Sequence, residues 1–472
     1  MTYFRHLDDF ADRISLVDES GGGVPYARLL ADGDEIAAKI GRRTLVFIIC
    51  SNRVEPVAAY VGCLRAGVVP VLLSGSLDQT LLGGLLESYR PEFVFGPETT
   101  LGGLDGFREV FRLGGYLLAD TGRERDYDLH EELALLLTTS GSTGSPKLVR
   151  QSYRNIRANT ESIIEYLGIG PEDRAICTLP LHYTYGLSIL NTHLAGGARV
   201  ILTEAPVMSR DFWNLLRTGG ATTFGGVPYI YEMLKKLRFA TLPTPSLRYL
   251  TQAGGRLDAA LLRELCDICD RKGLRFIVMY GQTEATARMS WLPWERAREK
   301  SESIGVAIPG GRFWLADEEM RPIEGPGVVG ELVYDGPNVT LGYADSRHDL
   351  AKGDERGGRL FTGDLARRDE EGFYYIAGRK KRFLKIFGSR VNLDEVETLL
   401  NREGHCCACA GTDDLLLVFL ECDDRDEKRL EVEKYLGERL ALNRAGFKVL
   451  PIKAIPRNEA GKVQYSALPA RA

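Results

Sequence analysis

Residues 138–147 read TTSGSTGSPK, a run of hydroxyl side chains and glycines that ends on the Lys147 ammonium. Such a run can cradle a polyphosphate, because glycine amides approach an anion closely, hydroxyls donate to it and the lysine adds charge. It departs from the P-loop pattern: Lys147 follows Pro146 and no Gly-Lys-Ser/Thr triplet is present, so P-loop phosphoryl transfer is not indicated. A plain polar loop has the same composition, so the segment needs its context to acquire meaning. Two cysteine groups raise the question of zinc. Cys266 and Cys269 form a CxxC, and His405, Cys406, Cys407 and Cys409 crowd into HCCACA. The first lies in LLRELCDICDRKG, where helical period sets Leu262, Cys266 and Cys269 on one face; the second runs into LLLVFL as a strand and its return. A zinc ribbon needs a second pair at suitable spacing, so these thiols are read as small hydrophobes.

An α/β framework is expected to position the loop. From Thr44 to Asp120 apolar strands such as LVFIIC and VVPVLLS alternate with helical segments such as EPVAAYVGCLRAG, the pattern of βα units around a largely parallel sheet. A charged linker, Thr121 to Asp128, precedes ELALLLTT, which delivers the Gly/Ser/Thr loop. A second βα series follows, with strands in AICTLPL, ARVILT, ATTFGGVP, LRYLTQAGG and LRFIVMYG whose ends should line a ligand crevice. After Ser303 short Gly/Pro-punctuated strands replace the helices. Beyond Gly378 come the basic run RKKRFLK, which by itself reads as a solvated face or anion patch, a helix from about Asn392, and a last helix near Lys428 to Leu442. The expectation is an α/β protein with a large N-terminal domain of βα subdomains plus a small β-rich subdomain, residues 1–380, and a mobile α+β C-terminal domain, residues 381–472.

Composition narrows the partners. The 472 residues are 44% hydrophobic and 26% charged, ordinary for a folded protein, and 60 Lys and Arg against 65 Asp and Glu leave a net charge of −5. No bulk positive field is available for nucleic acid. Asp8, Asp9 and Asp12 stand where a secretory signal would be apolar, and the N-terminus reads as a short amphipathic helix. Asn52, Arg53, Glu55 and Arg65 interrupt the most apolar stretch, so it falls short of the roughly 20 apolar residues of a membrane span. With an odd number of cysteines in apolar runs, a reducing, cytoplasmic location is expected.

TTSGSTGSPK is followed in order by YGQTEA at Tyr280 to Ala285, TGD at Thr362 to Asp364, GRKKRFLKIFG at Gly378 to Gly388 and NEAGKVQY at Asn458 to Tyr465. In these motifs and their order the chain resembles the adenylate-forming enzymes: acyl-CoA synthetases, adenylation domains of peptide synthetases and beetle luciferases. The resemblance implies that a carboxylate attacks the α-phosphate of ATP to give an acyl-adenylate and pyrophosphate, after which a thiol takes the acyl group. Joining two anions requires fixed positive charge, a divalent metal and exclusion of water. By the same resemblance Lys462 is the catalytic lysine of adenylation, Glu284 holds Mg²⁺, Thr283 contacts phosphate and Tyr280 lies against adenine. Thr139, Ser140, Gly141, Ser142, Thr143, Gly144 and Lys147 form the phosphate loop, and Gly254 and Gly281 flank the nucleotide. Asp364 accepts from the ribose hydroxyls and Arg379 supports the sugar. Gly388, with Ser389 and Arg390, serves thioester formation, and Lys381 is the hinge about which the C-terminal domain turns between the half-reactions.

For the acid, the resemblance points to LPLHYTYGLSIL. Tyr183 stands where a gating His is usual and His182 one place earlier, while Thr184 and Ser188 occupy polar positions of the pocket. Gly225, Gly226 and Ala253 to Gly255 are small residues at other lining positions. No Asp lies between Leu179 and Leu190 to pair with an ammonium, which disfavours a free α-amino acid; an aryl or short- to medium-chain acid fits. The acceptor is coenzyme A or the phosphopantetheine arm of a carrier protein acting in trans. Two alternatives to a ligase are an ATP- or acyl-adenylate-binding regulatory module without turnover, and light emission of the luciferase kind.

Overall fold

The computed structural model describes residues 3–77, 79–102, 106–138, 147–380, 382–387, 389–422, 427–438, 444–458 and 461–469. The chain divides into two compact units, Met1–Arg312 with Asp335–Leu360, and Phe313–Tyr334 with Phe361–Ala472.

The first unit carries two large sheets. In the nine-stranded sheet the strands Arg275–Tyr280, Tyr249–Gln252, Thr223–Gly226, Arg174–Cys177, Arg199–Leu202 and Ile14–Val17 run parallel in that order, with antiparallel strands at both edges. Every strand expected of the second βα series is present here. Because the central strands are parallel, Gly226, Gln252 and Tyr280 all stand at carboxyl ends on one rim, where open α/β sheets bind ligands. The eight-stranded sheet centres on the parallel strands Leu133–Thr138, Val69–Ser74, Leu45–Cys50 and Phe93–Pro97. The strand Leu45–Cys50 is buried along its whole length, as expected when both faces are covered.

Two segments differ from the expectation. The N-terminus forms only a short 3-10 helix, Arg5–Phe10, before ISLV becomes a strand parallel to Arg199–Leu202. The β-rich stretch after Ser303 is also shared out: Val306–Ala307 extends the nine-stranded sheet and Gly342–Ala344 the eight-stranded one.

In the second unit a four-stranded sheet, ordered Arg312–Ala316, Gly330–Asp335, Arg359–Arg368 and Tyr374–Arg379 with the last two strands antiparallel, precedes the C-terminal region. There Cys407–Thr412 pairs with Leu415–Glu421, the strand and return strand expected of HCCACA, and Phe447–Ile452 adds in parallel. The helices Leu393–Arg402 and Lys428–Glu438 bury Val396, Leu400, Val432 and Leu436 in the same core as that sheet. Arg382 begins this region, and it is not a solvated charge. Its guanidinium is largely buried and binds Asp394, Glu397, the Tyr465 hydroxyl and the Cys409 carbonyl, fastening strand, helix and tail together. All nine cysteines are free, and among the described residues no cluster of metal-ligating side chains is present. No described helix is long and apolar enough to cross a membrane.

Candidate active site

The strand Arg275–Tyr280 ends at the YGQTEA motif, which turns through the 3-10 segment Thr283–Ala285. Thr283 and Glu284 therefore sit on the crevice rim, directly after the strand. Gly281 is required there because a Cβ would fall on the Ala287 backbone. Gln282 donates its side-chain N–H to the Tyr280 hydroxyl at 3.3 Å.

Glu284 is held from two sides. Its main-chain carbonyl accepts from Thr340 N at 3.0 Å, Thr340 Oγ1 at 2.9 Å and Arg356 Nη1 at 2.9 Å. The Tyr343 hydroxyl donates to its Oε1 at 2.7 Å. Burial first, and the Glu284 charge second, push the Tyr343 phenol up to about 12, so it remains a donor at neutral pH. Lys147 joins this group because Leu148–Ser152 pairs antiparallel with Gly342–Ala344, which brings its Nζ to 3.9 Å from the Tyr343 ring centroid. The Arg356 guanidinium lies over the same ring at 4.7 Å. Two cations and one carboxylate thus converge on Tyr343. Thr139 to Gly144, the rest of the expected phosphate loop, lie outside the described residues, as do Lys381 and Gly388.

Past Glu284 the chain makes a strained turn. Thr286 has φ 67, a conformation rare for a β-branched residue and tolerated where the surroundings over-determine it. Three side chains supply that determination. Thr184 Oγ1 donates to the Thr286 carbonyl, Thr286 Oγ1 donates to Asn338 O at 2.7 Å, and Asn338 Nδ2 donates to the carbonyls of Ala285 and Arg288 at 2.9 Å. Thr184, expected to line the acid pocket, also braces the loop that carries Glu284.

The other residues expected at the acid pocket are closely packed. Gly254 has φ +87, and a Cβ there would lie 2.5 Å from the Tyr183 hydroxyl. Tyr183 is buried and packs edge-on to Tyr185 at 6.4 Å. Ala253 is buried beside it, and the Gly255 carbonyl accepts from Gln252 Nε2 at 2.8 Å. At Gly225 an added Cβ would meet Ile189 Cδ1 at 2.8 Å and the Tyr185 hydroxyl at 3.0 Å, so those side chains fill the room that the glycine leaves. Ser188 and Gly225 line a small cavity of about 20 Å³ between the helices Tyr153–Leu167 and Thr184–Ala195 and the sheet. Arg288 lines it too, with its guanidinium over the Tyr185 ring at 4.0 Å.

In the second unit Asp364 and Arg379 are directly opposed across two paired strands, with Arg379 Nε 3.5 Å from Asp364 Oδ1. Gly363, at φ 73, precedes the buried Asp364, while Arg379 is largely exposed. The exposed Arg379 is open to a polar ligand, with the buried Asp364 carboxylate beside it. Lys462 is tied to Asn458 by two bonds: Asn458 N donates to the Lys462 carbonyl at 2.8 Å and Lys462 N donates to Asn458 Oδ1 at 2.9 Å.

The model of the AMP-binding enzyme family matches residues 4–344. The chain belongs to that family, within the adenylate-forming superfamily. Its relatives include the medium-chain fatty-acid–CoA ligase of Escherichia coli K12, 25% identical over 96% of this chain and 86% of the other. The 2-succinylbenzoate–CoA ligase of Geobacillus kaustophilus is 28% identical over 79% of this chain and 74% of the other. Among solved structures, O-succinylbenzoate coenzyme A synthetase of Bacillus subtilis in complex with AMP superposes with a TM-score of 0.79 at 25% identity, covering 98% of both chains.

Tyr343, Arg356 and Arg288 were not legible as site residues. Only Arg288 carried a local signal, a lone charge inside the apolar run ATARMSWL.

Proposed function

We propose that this protein is an AMP-forming acid:thiol ligase. A carboxylate oxygen attacks the α-phosphorus of ATP and the bond to pyrophosphate breaks. The sulfur of a thiol then attacks the acyl carbon, AMP leaves with the carboxyl oxygen, and the thiol proton is released. The observation that carries the reading is Glu284, immobilised by Tyr343 beside the Lys147 and Arg356 cations in a chain of the AMP-binding family.

The site suits Mg²⁺. Glu284 offers a hard oxygen donor, Tyr343 fixes one carboxylate oxygen, and no described side chain is bonded to the other. A single carboxylate suffices for an ion that fills its remaining positions with water and phosphate oxygens. The metal supplies charge neutralisation on the phosphates. This chain's own residues do the rest: Lys147 and Thr283 bind phosphate, Tyr280 faces adenine, Asp364 and Arg379 hold ribose, and Lys462 stabilises charge as the adenylate forms. Gly388 serves the thioester step after the C-terminal domain, 381–472, turns about Lys381.

The acceptor is coenzyme A, as the ligases among its relatives are named for; a carrier-protein phosphopantetheine is the alternative. The acid is an aryl or a short- to medium-chain one, consistent with relatives named for 2-succinylbenzoate and medium-chain fatty acids. Incubation with ATP, Mg²⁺, coenzyme A and an acid panel should yield AMP, pyrophosphate and acyl-CoA in equal amounts. ADP and orthophosphate as products would overturn the reading.

A further inference from the structure

The cavity beneath Gly225 contains a cation that the described residues do not neutralise. Arg288 is 3% exposed; its Nε donates to the Met279 sulfur at 3.3 Å, its guanidinium rests on the Tyr185 ring and the Tyr166 hydroxyl lies beside it, yet no described carboxylate lies within ion-pair distance. Sulfur is a weak acceptor and an aromatic face only partly compensates a desolvated charge. Burying a guanidinium without a counter-charge is costly, and such a group persists where something else benefits from it.

A second observation points the same way. Tyr249, 2% exposed, lines the cavity, and its hydroxyl lies beside Thr223 without meeting any described partner at full hydrogen-bond geometry. Thr223 Oγ1 and His193 Nε2 face each other across a long 3.3 Å contact in the same lining, and none of the lining residues is acidic. The space therefore offers a forked cation and hydroxyl donors, the complement of a carboxylate.

Given the ligase reading above, we infer that the acid is a dicarboxylic acid, one of whose carboxylates is activated while the distal one is bound by Arg288 with the Tyr249 hydroxyl. At about 20 Å³ the cavity has room for little more than one water, so the distal group enters as Ile189 and Tyr185, which close on Gly225, move aside. An ammonium is excluded by the same charge, which extends the argument against α-amino acids made from the absence of Asp in Leu179 to Leu190. Discrimination follows from what a monocarboxylic acid leaves behind, a buried cation still without its partner.

The test compares ATP–pyrophosphate exchange for matched pairs, linear α,ω-dicarboxylic acids against n-alkanoic acids of equal length and carboxyphenyl against phenyl alkanoic acids. The native protein should favour one dicarboxylic acid by about tenfold or more in kcat/KM. Arg288→Met should abolish or invert that ratio, and Arg288→Lys should restore part of it. Should Arg288→Met not fold, judged by thermal unfolding and ATP binding, Tyr249→Phe removes one hydroxyl and should lower the ratio several-fold. Faster exchange with the monocarboxylic partners, or a ratio unmoved by these variants, overturns the dicarboxylate assignment and leaves the ligase standing. Silence with every acid from protein that binds ATP overturns both.

Discussion

The Tyr343 hydroxyl donates to Oε1 of Glu284 across 2.7 Å, joining a strand of one sheet to the motif that ends a strand of another. A hydrogen bond to a charged acceptor contributes about 1.5–3 kcal/mol, and here it also fixes the direction of the carboxylate. Tyr343→Phe should therefore raise the Mg²⁺ concentration for half-maximal activity and lower kcat by about tenfold or more, with the KM for the acid little changed. With its phenol pushed up to about 12, Tyr343 stays protonated across the working range, so its removal should not reshape the pH profile below pH 9 or so. An unaltered Mg²⁺ dependence would detach Tyr343 from the metal site.

Gly254→Ala tests the pocket wall. The residue's φ of +87 and the Tyr183 hydroxyl 2.5 Å from an added Cβ mean that alanine brings about 1–2 kcal/mol of backbone strain and displaces Tyr183. The KM for the acid should rise several-fold while ATP binding, followed by calorimetry, changes less. Equal weakening of both would place Tyr183 outside the acid pocket.

His193 gives a pH signature. Burial holds its pKa below the ordinary value of about 6.5, and its Nδ1 faces the Ile189 carbonyl at 2.9 Å. Below that pH the unfolded chain takes up a proton that the native imidazole resists, so stability falls with decreasing pH by at most about 1.4 kcal/mol per unit. In denaturant titrations from pH 7.5 to about 5, His193→Gln should lose less stability on acidification than the native protein. Parallel curves would show His193 free to charge in the fold.

Arg382 should matter for one region. Removing one partner of a buried ion group costs about 3–5 kcal/mol, and Arg382→Met strands Asp394 and Glu397 together. Hydrogen exchange should accelerate in Leu393–Arg402 and Cys407–Thr412 while the sheets of residues 1–312 keep their protection. Uniform acceleration would contradict a local role.

What the sequence discloses is sorted by range. Strands with their own apolar pattern, from LVFIIC to LRFIVMYG, are present where local periodicity sets them, and so is the Cys266–Cys269 helix face. ISLV reads as helix because its pattern is short; it becomes a strand through a partner nearly two hundred residues away, at Arg199–Leu202. RKKRFLK reads as a solvated face, yet Arg382 is claimed by carboxylates on the following helix. The site divides in the same manner. Glu284, Asp364 and Lys462 lie in contiguous motifs, whereas Tyr343 reaches Glu284 across 59 positions and Thr184 reaches Thr286 across 102, pairings that no spacing rule anticipates.

The central claim, formation of an acyl-adenylate, is tested most directly by ATP–pyrophosphate exchange without any thiol, with Lys462→Ala measured alongside. The account predicts exchange that requires both an acid and Mg²⁺, reduced by about a hundredfold or more in the variant, while transfer from a preformed acyl-adenylate to the thiol is largely retained. Acid-independent exchange, or equal loss of both half-reactions in the variant, would contradict it.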